Sequence, residues 1–140
     1  TLHLFDTFTG LPEGEAKWRD PLGLCPKGRF EATEGEVRRR LTGHDIRIHA
    51  GVFPASAEGL DDLRFCFVHV DCDIYRSAKD AIAWFWPRLV NGGVLYFDDY
   101  GCSFTGVTEA VMERFWPDQV HEQIGIYEKS PIGCYVVKGE

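Results

Sequence analysis

The stretch FVHVDCDIYRS, residues 67–77, decides how this chain reads. An apolar run over residues 65–70 has the near-continuous hydrophobicity of a strand buried on both faces. It delivers two acids, Asp71 and Asp73, at its carboxyl end. A second run, GGVLYFDDYG at residues 92–101, does the same with Asp98 and Asp99. In open parallel sheets, ligands bind beyond the carboxyl ends of the strands. Four carboxylates are therefore aimed at one edge. Side chains two residues apart share a face while the chain stays extended, so Asp71 and Asp73 are expected to point the same way.

The flanking segments supply the rest of an α/β domain. After Asp73, Ser77 and Asp80 offer a helix cap. Ile82, Phe85, Trp86 and Leu89 then recur at helical spacing, predicting a helix over 78–90. The NGG at 91–93 breaks it ahead of a strand at 94–98. A helix follows at 107–115, stopped near Pro117. Strands at 119–127 and 132–138 flank KSPIG and read as an antiparallel hairpin. Upstream, LHLFDTF at 2–8 reads as a buried strand ending at Asp6. Residues 10–32 form a loop long enough to be a lid or binding loop. Thr33 and Glu36 make a capping-box pattern for a short helix to about residue 42, with Gly43 suited to its end. DIRIHAGVF at 45–53 alternates and turns at Gly51, and residues 54–60 hold a helical turn. Alternating strands and helices imply a mostly parallel sheet with helices on both faces, a three-layer α/β/α architecture closed by the hairpin. The 140 residues read as a single domain.

Composition narrows the function. Hydrophobic residues make up 44% and charged residues 26%, as in a soluble globular protein. The net charge of -7 disfavours nucleic acid and anionic membrane surfaces as partners. The Arg38-Arg39-Arg40 cluster reads as a solvated helix face. No apolar run approaches the length that crosses a bilayer, and no signal-peptide pattern opens the chain. Five cysteines, Cys25, Cys66, Cys72, Cys102 and Cys134, show no CxxC pairing. They suit a reducing, cytoplasmic setting rather than a disulfide framework or zinc site.

Several carboxylates at one edge repel each other unless a cation or a proton is shared. An all-oxygen set without spaced Cys or His ligands favours a hard ion such as Mg²⁺ or Ca²⁺. Such an ion could hold a substrate hydroxyl while a neighbouring carboxylate takes its proton. The plainer reading is that individual acids cap the helices that follow. Asp6, at an early strand end, could accept hydrogen bonds from ribose hydroxyls. His69 reads as core or as a satisfied polar residue. Trp84, Phe85 and Trp86 read as core and rim.

Together, FDTFTGLPE (5–13), VHVDCDIYRSAKDA (68–81) and PRLVNGGVLYFDDYG (87–101) resemble the macrocin O-methyltransferase family. These are class I, S-adenosylmethionine-dependent enzymes that methylate sugar hydroxyls. The resemblance implies a Rossmann-like class I sheet and a hydroxyl-bearing small-molecule acceptor. It implies metal ligands at Asp71, Asp98 and Asp99, usually for Mg²⁺, and a general base at Asp73. Asp6 would hold the cofactor ribose, Gly51 and Phe53 would line the adenine, and the 10–32 loop would lie near the acceptor. The family's first strand and Gly-rich turn have no counterpart before Asp6. The expectation is accordingly a domain short of its first strand, with a half-built cofactor site. An alternative reading is a non-catalytic remnant acting as a binding or assembly module, whose unsatisfied strand edges would invite another chain or a further copy. A transferase or hydrolase acting on phosphate-bearing substrates is a third, weakened by the lack of a phosphate-cradling Gly-rich loop.

Overall fold

The computed structural model describes residues 1–12, 23, 26–101, 105–116, 123–126 and 133–139. Most of the 10–32 loop and the KSPIG turn lie outside the described residues. The elements follow the alternation expected: β1 (Leu2–Asp6), α1 (Glu34–Arg40), β2 (Ile46–Ala50), β3 (Phe65–Val70), α2 (Tyr75–Phe85), β4 (Leu89–Asp98), α3 (Thr105–Phe115), β5 (Gln123–Ile126) and β6 (Gly133–Val137). A 3-10 turn at Ala55–Ala57 stands where a helical turn was expected.

Four strands form one sheet in the order β3-β4-β6-β5. β3 and β4 are parallel, while β6 runs antiparallel to both β4 and β5. The expected hairpin pairing of the last two strands is therefore present. β1 and β2 form a separate parallel pair.

Apolar alternation explains the core. Val68 and Val70 of β3, Leu95 and Phe97 of β4, and Cys134 and Val136 of β6 are buried on one face. They meet Ala78, Ala81, Ile82 and Phe85 of α2 and Val107, Ala110, Val111 and Phe115 of α3. Both helices thus cover the same side. On the other side Phe67 is 58% exposed, His69 is exposed, and Tyr96 and Tyr135 are half-buried. α1 buries no residue. Among the described residues the sheet has one helical layer against it rather than the two expected.

Around α2 and β4 the element boundaries differ from the sequence reading. α2 begins at Tyr75, three residues ahead of the expected start, and no side chain caps it. Asp80 pairs with Arg76 one turn away instead of serving a cap at Ser77. The helix ends at Phe85, followed by a 3-10 turn at Trp86–Arg88. NGG does not separate a helix from a strand; β4 runs through it from Leu89, with a register shift against β3. Gly92 takes φ 74°, and a side chain at Gly93 would press on Leu89 and the Val90 carbonyl, so both glycines let the strand bulge and continue. α1 has the full capping box, with Thr33 accepting from the Glu36 N–H and Glu36 from the Thr33 N–H.

Backbone parity shows which strand edges are open among the described residues. The Leu2 N–H donates to the Asp45 carbonyl and the Asp6 carbonyl accepts from the Gly51 N–H. Residues 2, 4 and 6 therefore face β2, leaving the main-chain groups of His3 and Phe5 on the far edge. In β4 the Gly92 N–H and the Gly93 carbonyl both bond to Lys138 at the bulge, and from Gly93 onward its odd residues face β6 and its even ones β3. By register, Val68 and Val70 then bond to β4, and Phe67 and His69 turn their main chain outward. Among the described residues, rings bridge these two edges. His3 stands edge-on to Phe65 at 6.1 Å, and Phe5 and Phe65 both pack on Phe85, at 5.7 and 5.2 Å.

Candidate active site

The acids gather where β3 and β4 end. Strand β3 stops at Val70, and Asp71 follows directly in the exposed lip. The chain does not stay extended to Asp73, as the sequence reading required. Asp73 takes φ 59°, and the Ile74 N–H reaches back to the Cys72 carbonyl at 2.6 Å. This is a γ-turn with a left-handed centre, a rare conformation for a residue with a Cβ. It curls the Asp73 carboxylate back toward its neighbours. Asp99, one residue beyond β4, also has positive φ, 60°, and is only 8% exposed.

Carboxylate oxygens of Asp71, Asp73 and Asp99 come within 4.8 Å of one another. A second group within the same span joins His69, Asp71 and Asp98. Asp71 is common to both. The expected ligand trio of Asp71, Asp98 and Asp99 is thus divided between two groups, and Asp73 and His69 enter them. His69 is not a core residue; it is exposed, edge-on to Tyr96 at 5.0 Å. The signal for it was available, because His69 lies two residues before Asp71 on an extended strand and shares its face.

Electrostatics mark the cluster as crowded with negative charge. Partial burial and then Asp98 raise the Asp71 carboxyl above the usual range, with His69 opposing. Burial, then the Asp99 and Asp71 charges, push Asp73 up to about 6, with Arg29 opposing. Hydrogen bonding with Asp99 adds to the rise by favouring the protonated form of Asp73.

The residues expected at the cofactor form a separate group at the ends of β1 and β2. The Asp6 carboxylate is exposed and accepts the Phe8 N–H at 2.7 Å, closing a small turn. Its carbonyl bonds to Gly51, which takes φ 134°. Phe53 packs into the aromatic core, parallel to Phe85 at 5.2 Å and edge-on to Phe5 at 5.4 Å.

The Macrocin-O-methyltransferase (TylF) family model matches residues 1–128. The chain belongs to the macrocin O-methyltransferase family. A curated relative from Streptomyces olivaceus, 8-demethyl-8-(2,3-dimethoxy-alpha-L-rhamnosyl)-tetracenomycin-C 4'-O-methyltransferase, is 27% identical over 104 residues. That match covers 68% of this chain and 40% of the relative. Among solved structures, the O-methyltransferase NovP superposes with a TM-score of 0.78 at 23% identity, and the calicheamicin methyltransferase CalS11 with 0.79 at 19%. They cover 100% and 99% of this chain respectively, which spans 60% of each of theirs. At these identities they establish a shared methyltransferase fold. No helix among the described residues is long and apolar enough to cross a membrane.

Proposed function

We propose that this chain carries the acidic half of an S-adenosylmethionine-dependent O-methyltransferase that acts on a hydroxyl of a sugar or similar small molecule. The observation that carries the reading is the convergence of the Asp71, Asp73 and Asp99 carboxylates within 4.8 Å at the strand ends. The curated relative, whose name assigns methylation at a 4' oxygen of a rhamnosyl compound, supports a glycosidic acceptor.

The donor set fits Mg²⁺. It is oxygen-rich, and its raised carboxyls are what buried like charges adopt without a counter-ion. Asp71, common to both groups, would hold the ion together with Asp98 or Asp99 from either side, and its chemistry would be to acidify a coordinated hydroxyl. Asp73 is the base. Its carboxylate lies within 4.8 Å of the Asp71 and Asp99 oxygens, beside any hydroxyl the ion would hold, where it can accept that proton. S-adenosylmethionine would supply the methyl group. Asp6 would take its ribose and the 51–53 turn its adenine; the exposed Asp6 carboxylate suits the first role, while Phe53 presents only a half-buried edge for the second. Orienting donor and acceptor at this edge supplies much of the rate enhancement. A soluble enzyme working inside the cell and open to self-assembly completes the proposal.

Role separation tests it. In a catalytically competent form, Asp73→Asn should leave Mg²⁺ binding by calorimetry nearly intact and lower the chemical step roughly 10²- to 10⁴-fold. Asp71→Asn should weaken Mg²⁺ binding and turnover together. Equal loss of metal in both variants would make Asp73 a ligand, and undiminished turnover in Asp73→Asn would remove it from the chemistry. The open edges of β1 and β3 favour a second reading, an assembly module that keeps the sheet without catalysis. Full metal binding with no transfer in any assembled form would select it.

A further inference from the structure

The GLP at residues 10–12 belongs to the segment that marks the family, yet none of its residues lies among the acids. Its structural setting gives it a task. Gly10 takes φ 72°, and a Cβ built there would overlap the Gly28 carbonyl. Only glycine allows these two backbone segments to cross so closely. The crossing is fixed by two hydrogen bonds, Leu11 N–H to the Arg29 carbonyl at 2.9 Å and Gly28 N–H to the Leu11 carbonyl at 2.9 Å. The Thr7 hydroxyl adds a third, to the Gly10 carbonyl at 3.0 Å. The corner therefore projects Leu11 at a set position.

Leu11 packs on one buried partner, Ile74, and the two form an apolar pair apart from the main core. They are 9% and 4% exposed. Ile74 is the residue whose N–H closes the γ-turn around Asp73, and its carbonyl accepts the Ala78 N–H in the first turn of α2. Left-handed backbone at a residue with a side chain persists only where the surroundings hold it. One side of that hold is α2; the other is Leu11.

We infer that Leu11, presented by the Gly10–Gly28 crossing, is a positioning residue that acts through Ile74 to keep Asp73 turned into the acid cluster. It touches no reacting atom. The inference rests on the role given to Asp73 above for its functional meaning, but its structural content stands separately.

The test is hydrogen exchange at the Ile74 amide, read in the 140-residue protein without metal. Leu11→Ala should speed that amide at least about tenfold by local opening, while core amides such as that of Leu95 stay protected. Leu11→Met, which refills the contact, should restore protection. Gly10→Ala is a second route, because it displaces the 26–30 segment without trimming Leu11, and it should loosen Ile74 in the same way. An unchanged Ile74 amide in both Leu11→Ala and Gly10→Ala overturns the inference, as does equal acceleration at Ile74 and Leu95. In a catalytically competent form, Leu11→Ala should lower kcat with KM little changed, in the manner of Asp73→Asn. If Asp73→Asn is silent while Ile74 exchange responds as expected, the brace stands and the base assignment falls. If Asp73→Asn slows turnover and Ile74 does not respond, the brace falls alone.

Discussion

Asp73 shows how one residue's backbone sets its chemistry. Its left-handed φ places a third carboxylate beside Asp71 and Asp99, and burial, with that crowding second, raises its pKa to about 6. In the metal-free protein, a carboxyl ¹³C titration should therefore show Asp73 with a midpoint near 6, and added Mg²⁺ should move it down. The folded protein then holds this proton more tightly than the unfolded chain, where an Asp titrates near about 4. The group's contribution to stability is fully present below that value and is lost as pH rises through about 6. A metal-free midpoint near that of an ordinary Asp would mean that the carboxylates are not held together. Identity was legible at this scale: all four acids were readable as a set because both apolar runs end on them. Geometry was not. Nothing in DCDI announces positive φ at Asp73, which burial of Ile74 and distant Leu11 sustain, so an extended chain was expected and a turn is found.

Elements with strong local signals were read well. The Thr33–Glu36 capping box is present, and α1 begins where it says. Because α1 buries no side chain, its stability is local rather than shared with the core. Thr33→Ala should cost α1 about 1 kcal/mol, the usual worth of such a cap. Amide exchange within Glu34–Arg40 should quicken while the global melting temperature stays put. A shifted global melt would show that α1 is coupled to the rest. Where the reading missed, tertiary contacts outweighed local cues. Ser77 was expected as a cap, but the helix starts at Tyr75, whose side chain pairs with Glu113 on α3. The glycines at 92 and 93 were expected to break the helix ahead of a strand, yet Gly93 is buried beneath Leu89 and β4 passes through.

At the scale of the molecule, the parallel β3–β4 pair and the closing hairpin were legible because apolar runs alternate with helical spacing, although only one face of those strands is buried. The separation into two sheets was not spelled out by any residue; it follows from which main-chain groups find partners. His3, Phe5, Phe67 and His69 turn theirs to the open edges, and the pocket for a cofactor would lie across that break. These 140 residues alone should therefore bind S-adenosylmethionine weakly by calorimetry, whereas a longer chain that places a strand between β1 and β3 should bind it. Tight binding by the shorter protein would contradict this. The same break has a colloidal consequence. Neither inner edge carries a lysine or a proline, the residues that keep strands from recruiting neighbours. Light scattering from this chain should rise steeply with concentration, its particles growing edge by edge. Phe67→Lys puts a charge on the exposed face of β3, at a side chain the core does not use. It should raise the concentration at which scattering sets in while leaving the melting temperature nearly unchanged; an unaltered onset would place the sticky surface elsewhere.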